Sequence, residues 1–167
     1  LIHAMCHVIL EEGLEDRAYI EERTEGFEFL EDTLKKYTPE YVEPICGVPA
    51  DDIRKAARMF AEADAAGIYY AMGITQHTRG THGVMALSNL SLLTGNIGKY
   101  GAGINPLRGQ NNVQGACDMG CLPSDLPGYQ KVIKSAVIEK FEKAWGRKLS
   151  DKVGRTLPEV IDGLTDQ

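Results

Sequence analysis

GIYYAMGITQHTRGTHG, residues 67–83, is the stretch on which the fold turns. Its first seven residues, Gly67 to Gly73, are uncharged, carry two adjacent tyrosines and are bounded by glycines. That composition suits a short buried strand of a parallel sheet. The next ten, Ile74 to Gly83, are polar and punctuated by glycine, and are expected to form a loop. Val84 to Thr94 is then an apolar run of helical length, closed by Gly95. Upstream, Pro49, Asp51 and Asp52 open a helix that spaces Ile53, Ala56, Ala57 and Phe60 for burial. Helix, strand, loop, helix is the order of an α/β fold. In open α/β sheets, ligands sit beyond the carboxyl ends of strands, which puts Gln76, His77, Thr78 and Arg79 in the expected ligand-facing loop.

Further upstream the chain reads as helices with acids on their outer faces. Leu1, Met5, Val8 and Ile9 share one face of an opening helix that stops near Gly13. Leu14, Ala18 and Tyr19 mark a second, Phe27, Leu30 and Leu34 a third, and Thr38-Pro39 caps a short helix ending near Gly47. Because the sequence opens at Leu1 with this pattern already under way, the chain is expected to be a piece of a longer protein. Downstream, Gly95 to Gly128 is expected to be mostly loop, and loops of that length are usually functional. Lys134 to Trp145 places Val137, Phe141 and Trp145 on one helical face. A weakly ordered tail is expected from Gly146.

The charge is unevenly spread. Of 167 residues, 43% are hydrophobic and 25% charged, the net charge is -6 and the mean hydropathy is -0.23. Residues 1–66 carry -9, residues 67–130 carry +1, and residues 131–167 carry +2. The middle third holds 12 of the 18 glycines and two acids, Asp118 and Asp125. A charge-poor, glycine-rich stretch lies between layers or close around a ligand. The acidic balance argues against nucleic acid as a partner, and no apolar run reaches the roughly 18 residues of a membrane span. Cys6, Cys46, Cys117 and Cys121 lack the spacing of a four-ligand metal set. Four reduced thiols in a cytoplasmic setting are expected.

Two glycine motifs fail on inspection. GNIGKYG has Tyr100 after Lys99 where a P-loop needs Ser or Thr. GAGINP puts Pro106 where a dinucleotide-binding GxGxxG needs its last glycine. His77 and His82 flank Gly80 without a neighbouring carboxylate, and are read as loop histidines bonded to backbone or water. The informative run is LRGQNNVQG, Leu107 to Gly115, in which Arg108, Gln110, Asn111, Asn112 and Gln114 all carry donors. Arg108 is the only cation between Lys99 and Lys131. An arginine so placed suits a carboxylate held by two parallel hydrogen bonds, and the amides suit the edge of a pterin or guanine ring.

MGITQHTRGTHG (Met72 to Gly83), LLTGNIGKYGAGINPLRGQNNVQGACDMG (Leu92 to Gly120), LPGYQ (Leu126 to Gln130) and HVILEEGLEDRAYIEERTEGFE (His7 to Glu28) closely resemble the catalytic subunits of molybdopterin-dependent formate dehydrogenases. The resemblance implies a molybdopterin oxidoreductase fold fragment, with helices on a mostly parallel sheet in a three-layer domain. Residues 1–110 would be the later half of a nucleotide-binding-like α/β domain, and 111–167 the start of a second lobe. It implies molybdenum or tungsten on molybdopterin guanine dinucleotide, a 4Fe-4S cluster, formate as substrate, and the rest of the subunit and electron-transfer subunits as partners. By motif, Arg108 is the guanidinium that orients formate, and Gln110 is a neighbouring catalytic residue that also faces the cofactor. Met72, Gly73 and Gln76 are cofactor contacts, Gly73 by permitting close approach. The cluster-binding cysteines, the metal-ligating selenocysteine or cysteine and its adjacent histidine have no counterpart here, so no metal ligand is expected and the isolated chain is expected to be inactive. From the residues alone, a non-catalytic α/β module binding a nucleotide or a protein partner is the alternative.

Overall fold

The structure, a computed structural model, describes residues 1–165. The chain divides into two compact units, Leu1–Leu107 and Arg108–Gln167.

The first unit is built around one helix. α1 (Ile2–Glu11) is apolar on most sides, and Ala4, Met5, Cys6, Val8 and Ile9 are buried. It is followed by α2 (Arg17–Arg23), α3 (Phe27–Leu34), α4 (Pro39–Cys46) and α5 (Ala50–Ala61). α1 packs on α3, α4 and α5, and its core includes Ile20, Leu34, Val42, Ile53 and Ala57. Burial in this core pushes the Cys6 thiol up to about 12, so it is a packing residue rather than a nucleophile. The caps are local. Asp16 accepts the Tyr19 N–H at 3.0 Å, Thr38 accepts the Tyr41 N–H at 3.2 Å, and Gly47 closes α4 in the left-handed region. The acids face solvent, and the Arg58 guanidinium grips both oxygens of Glu12 at 2.7 Å, tying α5 to the end of α1.

β1 (Gly67–Tyr70) leads into α6 (Met72–Thr75), α7 (Gly80–Leu93) and β2 (Gly103–Pro106). β1 and β2 are parallel, with Gly67 opposite Gly103 and Tyr70 opposite Pro106. This is α/β architecture with a small parallel sheet. α7 buries Ala86, Leu87, Leu90 and Leu93 and packs on α1, α2 and β2. Two readings of the sequence differ from the structure. The strand ends at Tyr70 and is half-exposed, because the described sheet has only two strands and Tyr69 remains 69% exposed. The polar segment 74–83 is not a continuous loop, because α6 takes its first residues and α7 starts at Gly80. A Cβ on Gly80 would land on the Thr75 carbonyl, so this glycine allows the α6–α7 joint instead of breaking a helix. Residues 95–128 are mostly loop, as expected, with GINP forming the short strand β2. Its Pro106 sits at the strand's end, where a missing N–H costs little.

The second unit contains α8 (Val113–Asp118), β3 (Asp125–Leu126), β4 (Gln130–Lys131), α9 (Ser135–Trp145) and α10 (Leu157–Thr165). β3 and β4 pair antiparallel around Pro127–Tyr129. α9 buries Ile138 and Phe141 and ends at Gly146 in the left-handed region. Glu159 accepts both the N–H and the hydroxyl of Thr156, at 2.6 and 2.8 Å, capping α10. No helix of the described residues is long and apolar enough to cross a membrane.

Candidate functional site

The residues expected to contact a ligand divide between the two units. In the first, Met72 and Gly73 begin α6 directly after the carboxyl end of β1, and Gln76 is its C-terminal cap. Met72 is half-exposed and Gln76 exposed, and the Gln76 carboxamide makes no hydrogen bond among the described residues. A Cβ on Gly73 would meet nothing within 4 Å, so this face of the turn is open. His77 turns a ring nitrogen to the Gly73 carbonyl at 2.8 Å, a backbone contact of the kind expected for it. His82 and Arg79 line a wide surface groove with His3, Tyr37 and Met85.

Arg108 and Gln110 lie in the second unit. The exposed Arg108 donates from Nη2 to Oε1 of Gln114 at 2.8 Å. Among the described residues its Nε and Nη1 have no partner, so most of its donor fork is uncommitted. The Gln110 side chain is likewise exposed and without a hydrogen bond, while its carbonyl accepts from the Val113 N–H at the start of α8.

Gln114 is a junction. Its Nε2 donates to Asp118 Oδ1 and to the Tyr129 hydroxyl, both at 2.9 Å. Gln114 and Asp118 are one helical turn apart on α8, so their meeting follows from helix geometry. Tyr129 arrives from the β3–β4 turn, which the Gly128 N–H ties to the Asp118 carbonyl at 2.7 Å. Gly120 makes this docking possible. It has φ +85°, and a Cβ there would be 2.8 Å from the Leu126–Pro127 peptide. Tyr129 itself is held at φ 57°. The Tyr129 phenol sits above its ordinary pKa, first because it hydrogen-bonds the Asp118 carboxylate, then through burial and the Asp118 charge.

Just behind this turn, Asp125 is buried and paired with Lys131, whose Nζ lies 2.8 Å from Oδ1 and 3.0 Å from Oδ2. Ser124 adds a hydroxyl donor at 2.6 Å. The Lys131 contact, and then the Ser124 hydroxyl, hold the Asp125 carboxyl below its usual range.

Sequence reasoning singled out Arg108 and Gln110 but missed Asp118 and Tyr129 as the partners of Gln114, which holds Arg108. The available signal was the LPGYQ segment, whose turn residues bring Tyr129 back to α8. Among the described residues, no cluster of three His, Cys, Asp or Glu side chains is placed to hold a metal ion, and all four cysteines are free.

The model of the molybdopterin oxidoreductase family matches residues 1–158. The F420-dependent formate dehydrogenase subunit alpha of Methanocaldococcus jannaschii is 54% identical over 97% of this chain and 24% of its own length. Formate dehydrogenase H of Escherichia coli is 57% identical over 87% of this chain and 20% of its own length. The F420-dependent formate dehydrogenase 1 subunit alpha of Methanococcus maripaludis is 49% identical over the whole chain and 24% of its own length. The chain thus spans about a quarter or less of the length of these relatives. With a match that runs through both units and takes in Met72, Gln76, Arg108 and Gln110, the chain belongs to the molybdopterin oxidoreductase family.

Proposed function

We propose that this chain supplies the formate-binding arginine and part of the cofactor cradle of a formate dehydrogenase alpha subunit, which oxidises formate to carbon dioxide. The observation that carries this is Arg108, whose guanidinium is anchored at one nitrogen by a neutral amide and leaves the rest of its donors uncommitted. A carboxylate accepts two parallel N–H bonds from such a fork, and formate is the smallest carboxylate. Gln110, with a free carboxamide two residues on, is assigned to the same reaction and to the cofactor. The names of the relatives support formate as the substrate.

The reaction takes one proton and two electrons from formate and leaves carbon dioxide. Molybdopterin guanine dinucleotide with molybdenum or tungsten would supply the two-electron acceptance, with a 4Fe-4S cluster outside this chain as the onward path. The residues present fit the organic part of that cofactor. Gln76 offers a donor and an acceptor, Met72 a half-exposed apolar surface, and Gly73 a backbone with open space beside it. No group of three His, Cys, Asp or Glu side chains among the described residues is placed to hold a metal ion, and in this reading the metal ligand is supplied by the rest of the subunit. In this reading residues 1–110 are the later half of a nucleotide-binding-like domain and 111–167 the start of a second lobe. The remaining polypeptide and electron-transfer subunits are the partners, and the cytoplasm is the location. The 167-residue chain alone is expected to turn over no formate.

In the assembled enzyme, Arg108→Ala is expected to lower kcat/KM for formate about 30-fold or more, the equivalent of about 2 kcal/mol. Unchanged steady-state formate kinetics would remove Arg108 from the reaction.

A further inference from the structure

We propose that Gln114 is a positioning residue that sets the Arg108 guanidinium for its anion, and that Asp118 and Tyr129 dictate which end of the Gln114 amide faces the arginine. The proposal rests on the reading of Arg108 as the formate-binding group.

A carboxamide has an accepting end and a donating end, and only the accepting end can hold an arginine. Nothing in Arg108 and Gln114 alone prevents the amide from turning over and presenting its NH2 to the guanidinium. Asp118 removes that choice. An ionised carboxylate only accepts, so the NH2 of Gln114 must point to it, as it does at 2.9 Å. Tyr129 takes the second N–H at the same distance, so two acceptors together hold the NH2 of Gln114. Both donors of Gln114 are spent on Asp118 and Tyr129, and its oxygen is left for Arg108 Nη2 at 2.8 Å.

This arrangement does two things for an exposed arginine. It orders a long side chain before the anion arrives, so that less rotamer entropy is lost on binding. It also does so with a neutral acceptor. A carboxylate at position 114 would order Arg108 equally well but would cancel its charge and compete with the incoming carboxylate for the same N–H groups. The Asp118 carboxylate accepts from the Gln114 NH2 instead of from Arg108.

The test is a double-substitution cycle on formate kinetics in the assembled enzyme. Gln114→Ala is expected to raise KM for formate about tenfold with kcat changed less than about threefold, because the lost interaction is one of binding. In an Arg108→Ala background, Gln114→Ala is expected to change neither parameter further, a coupling that a merely structural role would not produce. Gln114→Glu is expected to raise KM at least as much as Gln114→Ala. Should Gln114→Ala fail to assemble, Tyr129→Phe keeps Gln114 and Asp118 but removes one of the two acceptors that hold the amide, and a KM increase of about threefold is expected, again absent in the Arg108→Ala background. An unchanged KM in Gln114→Ala, beside a strong effect of Arg108→Ala, would overturn the positioning role and leave the formate reading standing. Losses that persist in full in the Arg108→Ala background would overturn it too. No effect of Arg108→Ala itself would overturn both.

Discussion

Asn96 sits in the LLTGN segment and is fully buried, with every polar group of its side chain used. Its Oδ1 accepts the Ala66 N–H at 2.9 Å just before β1, and its Nδ2 donates to the Thr94 hydroxyl at 2.9 Å. Asn96→Ala would leave a backbone N–H and a hydroxyl without these partners in a dry site, costing about 2 kcal/mol. Denaturant unfolding of the chain should register that loss in the first unit, whereas a change under about 0.5 kcal/mol would mean that water replaces the amide. Asn96 lies in a family-like stretch, but its bonding carries no periodic signal, because its partners come from the end of α7 and the residue before β1 at once. Arg108 was legible for the opposite reason. A single cation in a long stretch of amides and glycines stands out from composition alone. Asp118 and Tyr129 did not stand out, since their role depends on a turn that returns the chain to α8.

At the scale of elements, the β3–β4 hairpin carries Tyr129, and its stability rests on two cross-strand residue pairs. Asp125 opposes Lys131 in one of them and is buried, so the ion pair makes the hairpin sensitive to acid. The sign follows from the depressed folded pKa of Asp125. Its contribution is complete above the ordinary carboxylate value, about 3.9, and is lost as pH falls through the lower folded value. The apparent Tm of the chain should fall on acidification below about pH 4. In Asp125→Asn the fall should be shallower, with a lower Tm at neutral pH. Equal slopes for both proteins would show that this pair is not a source of the acid sensitivity. The helix cap at Thr38 could be read directly from sequence because it is satisfied within three residues. β2 was not legible, because its four residues take their meaning from the parallel partner 36 positions earlier.

Across the whole molecule, buried apolar side chains are concentrated in the first unit, around α1. In the second, the described buried hydrophobics are Val132, Ile138 and Phe141. Local stability follows buried contacts, so amides of α1 and α5 should exchange with deuterium most slowly and those of α8 and the β3–β4 hairpin much faster. Uniform protection along the chain would contradict that ranking. The α/β class was legible because strand and helix differ in composition around Gly67, while the extent of the sheet depends on pairing that no local pattern encodes.

The central claim, that Arg108 holds the carboxylate of formate, is tested most directly by a structure of the assembled enzyme with formate bound. The account predicts two guanidinium N–H groups of Arg108 on the two formate oxygens, at about 2.7–2.9 Å, with Gln114 Oε1 still on Nη2. Formate bound with its oxygens on other groups, and Arg108 out of hydrogen-bond reach, would contradict it.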